Sequence, residues 1–397
     1  MNREDFPMLH QDIVYFDNGA TTLKPKCVID SVVRYMSEHT SNIHRGDYDA
    51  AAITNKLYDS TRDVVARFVN CSPREVVFTS GTTMSINMVV FGFMKKVLKA
   101  GDEVLITKSE HASNVLPWLK LKEDIGIVVK FMDLNEDYEL TMDSVKKSIT
   151  DKTKVISIAH VTNVIGDVRD VAAIGKLCHE NNIYFCVDGA QSVPHMKEDF
   201  KNNNIDFLSF SGHKMCGPTG VGVLVGKYEL LKMMDPLCYG GGMNNFFEAD
   251  LSYELKDVPT RFEAGTPPIA EVIGLREAIL YLESIGMVRI HEHEMKLKKY
   301  LVSRLEKISN IKMYNKSSNS GILAFNIDDV FAQDSSIYLN HYKIFVRAGN
   351  HCAKILKDEI GIKNTVRVSM YFYNSLEDVE KLIKALEQSE DIFRVVI

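Results

Sequence analysis

The chain has 397 residues, 45% of them hydrophobic and 25% charged, and its 47 basic and 53 acidic side chains leave a net charge of −6. That length exceeds one small core and predicts a large domain with a smaller one, while the mild acidity gives no ground for binding nucleic acid or an anionic membrane. No run approaches the roughly 18 uninterrupted apolar residues of a membrane span, and Met1 to Gln11, charged and without an apolar centre, is not expected to be a secretory signal. Seven scattered cysteines without a C-x-x-C pair, and twelve histidines without an H-x-x-x-H cluster, predict neither a disulfide framework nor a metal site. They favour a reducing, cytoplasmic setting.

In chain order, Val14 to Asp17 reads as a short strand that ends in Asn18-Gly19-Ala20-Thr21-Thr22. Val28, Val32, Val33 and Met36 give Lys26 to Glu38 a helical period, which resumes from Tyr48 to Phe68 after Asn42-Ile43-His44-Arg45-Gly46. Strand-like runs then follow at 76–79, 104–107, 127–132, 155–159, 183–187, 205–210 and 221–225, separated by segments of crossover length. The runs are continuously apolar, as expected when helices cover both faces, so the fold class is α/β with a mostly parallel seven-stranded sheet. From about residue 285, helices alternate with short strands at 321–327, 344–346 and 365–370, a smaller α+β domain that the N-terminal segment joins. The predicted boundaries are 20–284 for the large domain, with 1–19 and 285–397 forming the small one.

In such sheets ligands gather at the carboxyl ends of the strands. Ser80-Gly81-Thr82-Thr83 follows the first run and opens a helix over 84–98, a pattern suited to a phosphate or to an ordinary N-cap. Ser109-Glu110-His111-Ala112-Ser113-Asn114 follows the second, and His160-Val161-Thr162-Asn163 the fourth. Asp188-Gly189-Ala190-Gln191-Ser192 follows the fifth, an aspartate leaving an apolar strand, and Ser211-Gly212-His213-Lys214 the sixth. Each has a bland alternative, a surface lysine or a loop histidine among them. Their arrangement at successive ends of one sheet does not. A phosphate cradle, a buried carboxylate to pair with a pyridinium nitrogen and a lysine of lowered pKa describe a pyridoxal 5′-phosphate site.

These stretches, with Arg261-Phe262-Glu263-Ala264-Gly265-Thr266-Pro267 and Arg347-Ala348-Gly349-Asn350-His351-Cys352-Ala353, resemble the class V aminotransferase-like branch of fold-type I (aspartate aminotransferase-like) pyridoxal phosphate enzymes. Within it they are similar to the cysteine desulfurases of the SufS-like (group II) subclass. The resemblance implies Lys214 as the Schiff-base lysine, Asp188 as partner of the pyridine nitrogen and His111 as the residue stacked on the ring, where it helps to move protons. It implies Gln191 as donor to the phenolic oxygen, and Thr82, Thr83, Ser211 and His213 as the phosphate cradle, joined by Thr266 from the other subunit of a homodimer. Asn163 and Arg367, with Arg347 close by, would fix the carboxylate of L-cysteine. Cys352 would take the sulfur as a persulfide and pass it to a SufE-like or SufU-like acceptor for iron–sulfur cluster assembly, its thiolate favoured by Arg347, His351 and Lys354. The segment from Gly240 to Pro259 resembles a hairpin lying over the neighbouring subunit. The family loop commonly has two histidines before the cysteine and a proline three residues after it; here these are Asn350-His351 and Ile355. The family assigns nothing to Cys216. Selenocysteine lyase uses the same machinery, a class V aminotransferase would need no cysteine, and a weakly catalytic cofactor-binding scaffold of a sulfur-transfer complex is the alternative from another class.

Overall fold

The computed structural model describes residues 3–389 and Ile392. A short N-terminal strand, β1 (Val14–Tyr15), precedes seven strands that form one sheet: β2 (Val76–Thr79), β3 (Glu103–Thr107), β4 (Val128–Met132), β5 (Thr153–Ala159), β6 (Tyr184–Asp188), β7 (Phe207–Ser211) and β8 (Gly222–Gly226). Their order across the sheet is β2-β8-β7-β6-β5-β3-β4. Each of the seven expected runs is a strand, with ends shifted by a residue or two. Pairing is parallel from β7 to β4, while β8 runs antiparallel to both β2 and β7. The central strands are buried along their length because apolar clusters cover both faces. The edge strand β4 departs from that expectation: Val128 and Phe131 are exposed, and Lys130 pairs with Glu103 at 2.6 Å. A charged, half-exposed edge resists pairing with another chain.

The helix expected from Met84 begins at Thr82 and widens into a π-helix over Met88–Met94, where the Lys95 N–H reaches back to Val90 O. The hairpin β9 (Asn244–Phe247) and β10 (Tyr253–Leu255) projects apolar side chains into solvent. The second sheet orders β11 (Ile311–Tyr314), β12 (Ile322–Ile327), β15 (Thr365–Ser369) and β14 (Arg347–Gly349), all antiparallel, around a separate core. Sequence patterning missed β11, whose Lys312 and half-exposed neighbours break the apolar run. The run at 344–346 proves to be two pieces: β13 (Ile344–Phe345) pairs in parallel with β1, and β14 begins at Arg347. Asp17 bridges Ser369, and these contacts tie the N-terminal segment to the second sheet. Among the described residues no helix is long and apolar enough to cross a membrane.

Candidate active site

Where the carboxyl ends of the large sheet meet β14 and β15, the chain encloses a cavity of about 250 Å³. Of the residues to which the resemblance gives a cofactor, substrate or sulfur-accepting role, all but Thr266 line it, whereas Lys354 does not. Thr266 lies exposed in a distant turn, its hydroxyl accepting from Asn42 Nδ2 at 3.1 Å.

One wall follows from the reversed strand. Because β8 is antiparallel, its first residue, Gly222, lies opposite both Ser211 and Thr79. A Cβ on Gly222 would stand 2.4 Å from Gly81 Cα, so only glycine lets the turn after β2 settle over the strand end. That turn aims a helix start at the cavity: Thr82 N–H donates to Ser211 Oγ at 2.8 Å, and the two hydroxyl oxygens are 2.7 Å apart. Thr83 Oγ1 is 2.7 Å from Ser113 Oγ. Hydroxyls and free helix N–H groups suit a phosphate. His213 stands beside them, lowered to a pKa of about 4 by burial and the Lys214 and Lys24 charges, so it is neutral at pH 7.

The floor carries the charges. Asp188 ends β6, buried, with Ala190 N–H donating to it at 2.9 Å; burial raises its pKa to about 6 against that bond and the Lys214 charge. Lys214 ends the turn after β7, and burial lowers its pKa to about 8, with Asp188 opposing and Arg367 and Arg347 adding. His111 Nδ1 accepts the Ser113 N–H at 3.1 Å, so the proton of the neutral ring sits on Nε2. Burial, then Lys214, Arg347 and Arg367, hold the ring near a pKa of 4. Gln191, expected as a donor, gives Nε2 to Gly19 O at 2.7 Å and leaves Oε1 buried without a partner.

The roof comes from the second sheet. Arg347 and Arg367 face each other across β14 and β15, an opposition of like charges that costs stability unless an anion lies between them. Arg367 donates to Asn163 O at 2.8 Å and to Asp17 Oδ1 at 3.1 Å, while its Nε has no partner. Burial lowers its pKa to about 10. Gly19 packs on the guanidinium so closely that a Cβ would come within 2.9 Å of Cζ. Asn163 Nδ2 donates to His351 O at 2.7 Å, and its Oδ1 is unpaired. Two arginines with an open Nε are a seat for a carboxylate.

Cys352 is exposed and lines the cavity. Its loop is pinned by Ala112 N–H to Cys352 O at 2.8 Å and Ala353 N–H to Asn350 O at 2.9 Å. The expectation that His351 adds a positive charge beside the thiol fails. His351 is buried, its Nε2 lies 3.1 Å from Thr365 O, and burial with the Arg367, Lys357 and Arg347 charges lowers its pKa to about 2. Arg347 lines the same cavity as Cys352. Cys216 lies outside that wall, buried and pushed up to about 12. The sequence assigned nothing to Asp17, Gly19, Ala20 or Ser113, although the small residues after the β1 run formed the same strand-end pattern as the others. Among the described residues no group of three or more His, Cys, Asp and Glu could hold a metal ion.

The buried carboxylate without a cationic hydrogen-bond partner, the hydroxyl cradle and the orphaned Gln191 Oε1 fit a flat group carrying a phosphate and a protonated ring nitrogen. A family model described as aminotransferase class-V matches residues 14–382, and the chain belongs to that family. More particularly, it is 41% identical over 399 residues to a probable cysteine desulfurase of Staphylococcus epidermidis, covering 98% of this chain and 96% of the relative. The apo structure of a cysteine desulfurase from Thermococcus onnurineus NA1 matches with a TM-score of 0.94 at 36% identity, covering 97% of this chain and 96% of the other. The Escherichia coli cysteine desulfurase CsdA, in an S-sulfonic acid form, matches with a TM-score of 0.92 at 34% identity over 98% and 97% of the two chains.

Proposed function

We propose that the protein is a pyridoxal 5′-phosphate-dependent L-cysteine desulfurase of the SufS-like subclass. It would form L-alanine and a persulfide on Cys352, which passes to a SufE-like or SufU-like acceptor for iron–sulfur cluster assembly. The observation that carries this reading is an exposed cysteine in the same cavity wall as Lys214, Asp188 and two opposed arginines. In this reading residues 20–284 hold the cofactor, 1–19 with 285–397 close over it, and the enzyme works as a cytoplasmic homodimer. Its free thiols suit a reducing compartment.

Lys214 would hold the cofactor, Asp188 would face its ring nitrogen, His111 its ring, and Thr82, Thr83, Ser211 and His213 its phosphate. The bound group supplies an electron sink beside the substrate's α-carbon. Lys214, its pKa lowered to about 8, has an appreciable neutral fraction near neutral pH, which suits it to hold or move the α-proton. Arg367, with Arg347 and Asn163, would fix the substrate carboxylate, placing its sulfur toward Cys352. The Cys352 thiolate then attacks that sulfur: an S–S bond forms, the C–S bond breaks, and the electron pair stays on carbon, which takes up a proton to become alanine. No external oxidant is needed.

Alanine and sulfide should appear from L-cysteine with a reductant, and Cys352→Ser should lower desulfurase turnover by about a hundredfold or more, the usual weight of a lost nucleophile, while leaving cofactor absorbance intact. Full turnover in Cys352→Ser would sink the sulfur-transfer role. The same assay with L-selenocysteine separates a selenocysteine lyase.

A further inference from the structure

Beneath the cavity lies a buried ion cluster that the chemistry above does not use. Arg169 and Glu110 are both 2% exposed. Arg169 donates through Nε to Asp167 Oδ2 at 3.2 Å, through Nη1 to Glu110 Oε1 at 2.5 Å and Ala159 O at 3.0 Å, and through Nη2 to Thr107 Oγ1 at 2.8 Å and Ser109 Oγ at 2.7 Å. Every guanidinium N–H is thereby used. Glu110 is equally engaged: Oε1 accepts from Thr107 Oγ1 at 2.7 Å, and Oε2 from Asn114 Nδ2 at 2.9 Å and Ala159 N at 2.8 Å.

The place of this pair in the sheet gives it a task. The ladder between β3 and β5 stops at Leu105 and Ile156, while β5 stays paired with β6 as far as Ala159 and Asp188. On its open side Ala159 gives its N–H to Glu110 and its C=O accepts from Arg169, so two side chains take the bonds that a neighbouring strand would have made. The strand ends therefore part by one layer of side chains. Glu110 is followed directly by His111, and Asn114, on the other flank of that histidine, is tied to the same carboxylate. Ala159 is the cross-strand partner of Asp188. An apolar pair would fill the space but leave both backbone groups of Ala159 and the buried Asp167 carboxylate without their partners.

We propose that Glu110 and Arg169 form a strut that sets the gap between His111 and Asp188, making them positioning residues for the reaction. The pair also acts on the Asp188 proton, since the Glu110 charge raises its affinity and the Arg169 charge lowers it.

Glu110→Asp keeps the charge but shortens the strut by one methylene, Arg169→Lys keeps the charge without the fork, and Glu110→Gln with Arg169→Met removes both charges. In the cofactor-loaded variants, kcat for L-cysteine per loaded site should fall about 10- to 100-fold with KM within about twofold, the usual penalty of a small misplacement. The pH midpoint of the cofactor's visible absorbance should move as well. In the two charge-conserving variants that midpoint is decisive, because a purely structural role would change folded yield and leave it unmoved, whereas in the double variant the lost charges act on it as well. A midpoint equal to the parent's in whichever of those two variants fold overturns the strut. The kinetic arm rests on the desulfurase reading; a parent protein that binds the cofactor but releases no alanine refutes that reading alone, and the absorbance arm still judges the strut.

Discussion

His351 and Cys352 both adopt left-handed backbone, at φ 50° and 57°, a region that costs residues with a Cβ of order 1 kcal/mol each. The loop tolerates this because Asn163 and Ala112 bond its carbonyls and the His351 ring is fixed against Thr365. Fixing that ring has a consequence in acid. In the unfolded chain a histidine takes a proton below a pKa of about 6.5, whereas folded His351 stays neutral down to about 2. Between those values the unfolded state binds the extra proton, so this residue removes stability as pH falls through 6.5 and keeps removing it toward 2. His351→Gln, which keeps a donor for Thr365 O, should flatten the pH dependence of unfolding between pH 6 and 4 by up to about 1.4 kcal/mol per pH unit, the weight of one proton. Denaturant titrations of parent and variant at several pH values check this; parallel curves would mean that the ring protonates in the folded protein.

The reversed strand β8 explains both the cradle and its fragility. Ala at position 222 would press on Gly81 Cα at 2.4 Å and on Phe210 O at 2.7 Å, backbone atoms that cannot rotate away. Gly222→Ala should cost about 3 kcal/mol, the upper range of overpacking, and should weaken cofactor affinity more than a remote substitution of equal stability does. Equilibrium unfolding and a cofactor titration separate the two effects. That glycine is one of several after Lys214, and no local pattern marks its role, because its partner, Gly81, lies far away along the chain. The same division runs through the molecule. Apolar runs and strand-end residues such as Asp188 and Thr82 were legible, since burial on both faces and crossover spacing write themselves into one continuous stretch. The neutrality of His351, the Asp17 contact to Arg367 and the split of β13 from β14 depend on which distant segments meet, and no local pattern encodes that.

As a whole the chain shows one face that does not suit water. The β9–β10 hairpin holds Phe247 at 76% and Leu251 at 89% exposure, beside an open hollow of about 800 Å³ lined also by Tyr239, Met243, Tyr253 and Leu255. Contiguous exposed apolar surface of this kind is characteristic of interaction sites. Thr266, which the family likeness assigns to a partner's phosphate cradle, is exposed and outside the cavity of its own chain. Both features favour a homodimer in which each hairpin covers the other subunit and each site is completed from across the interface. Sedimentation at micromolar concentration should show a dimer, and Phe247→Glu with Leu251→Glu should weaken it at least about a hundredfold, the scale at which central apolar anchors act. Activity per chain should then decline in step with the monomer fraction and recover as concentration rises. A double variant that sediments as a monomer yet keeps full activity at every concentration would show that each chain carries a complete site of its own.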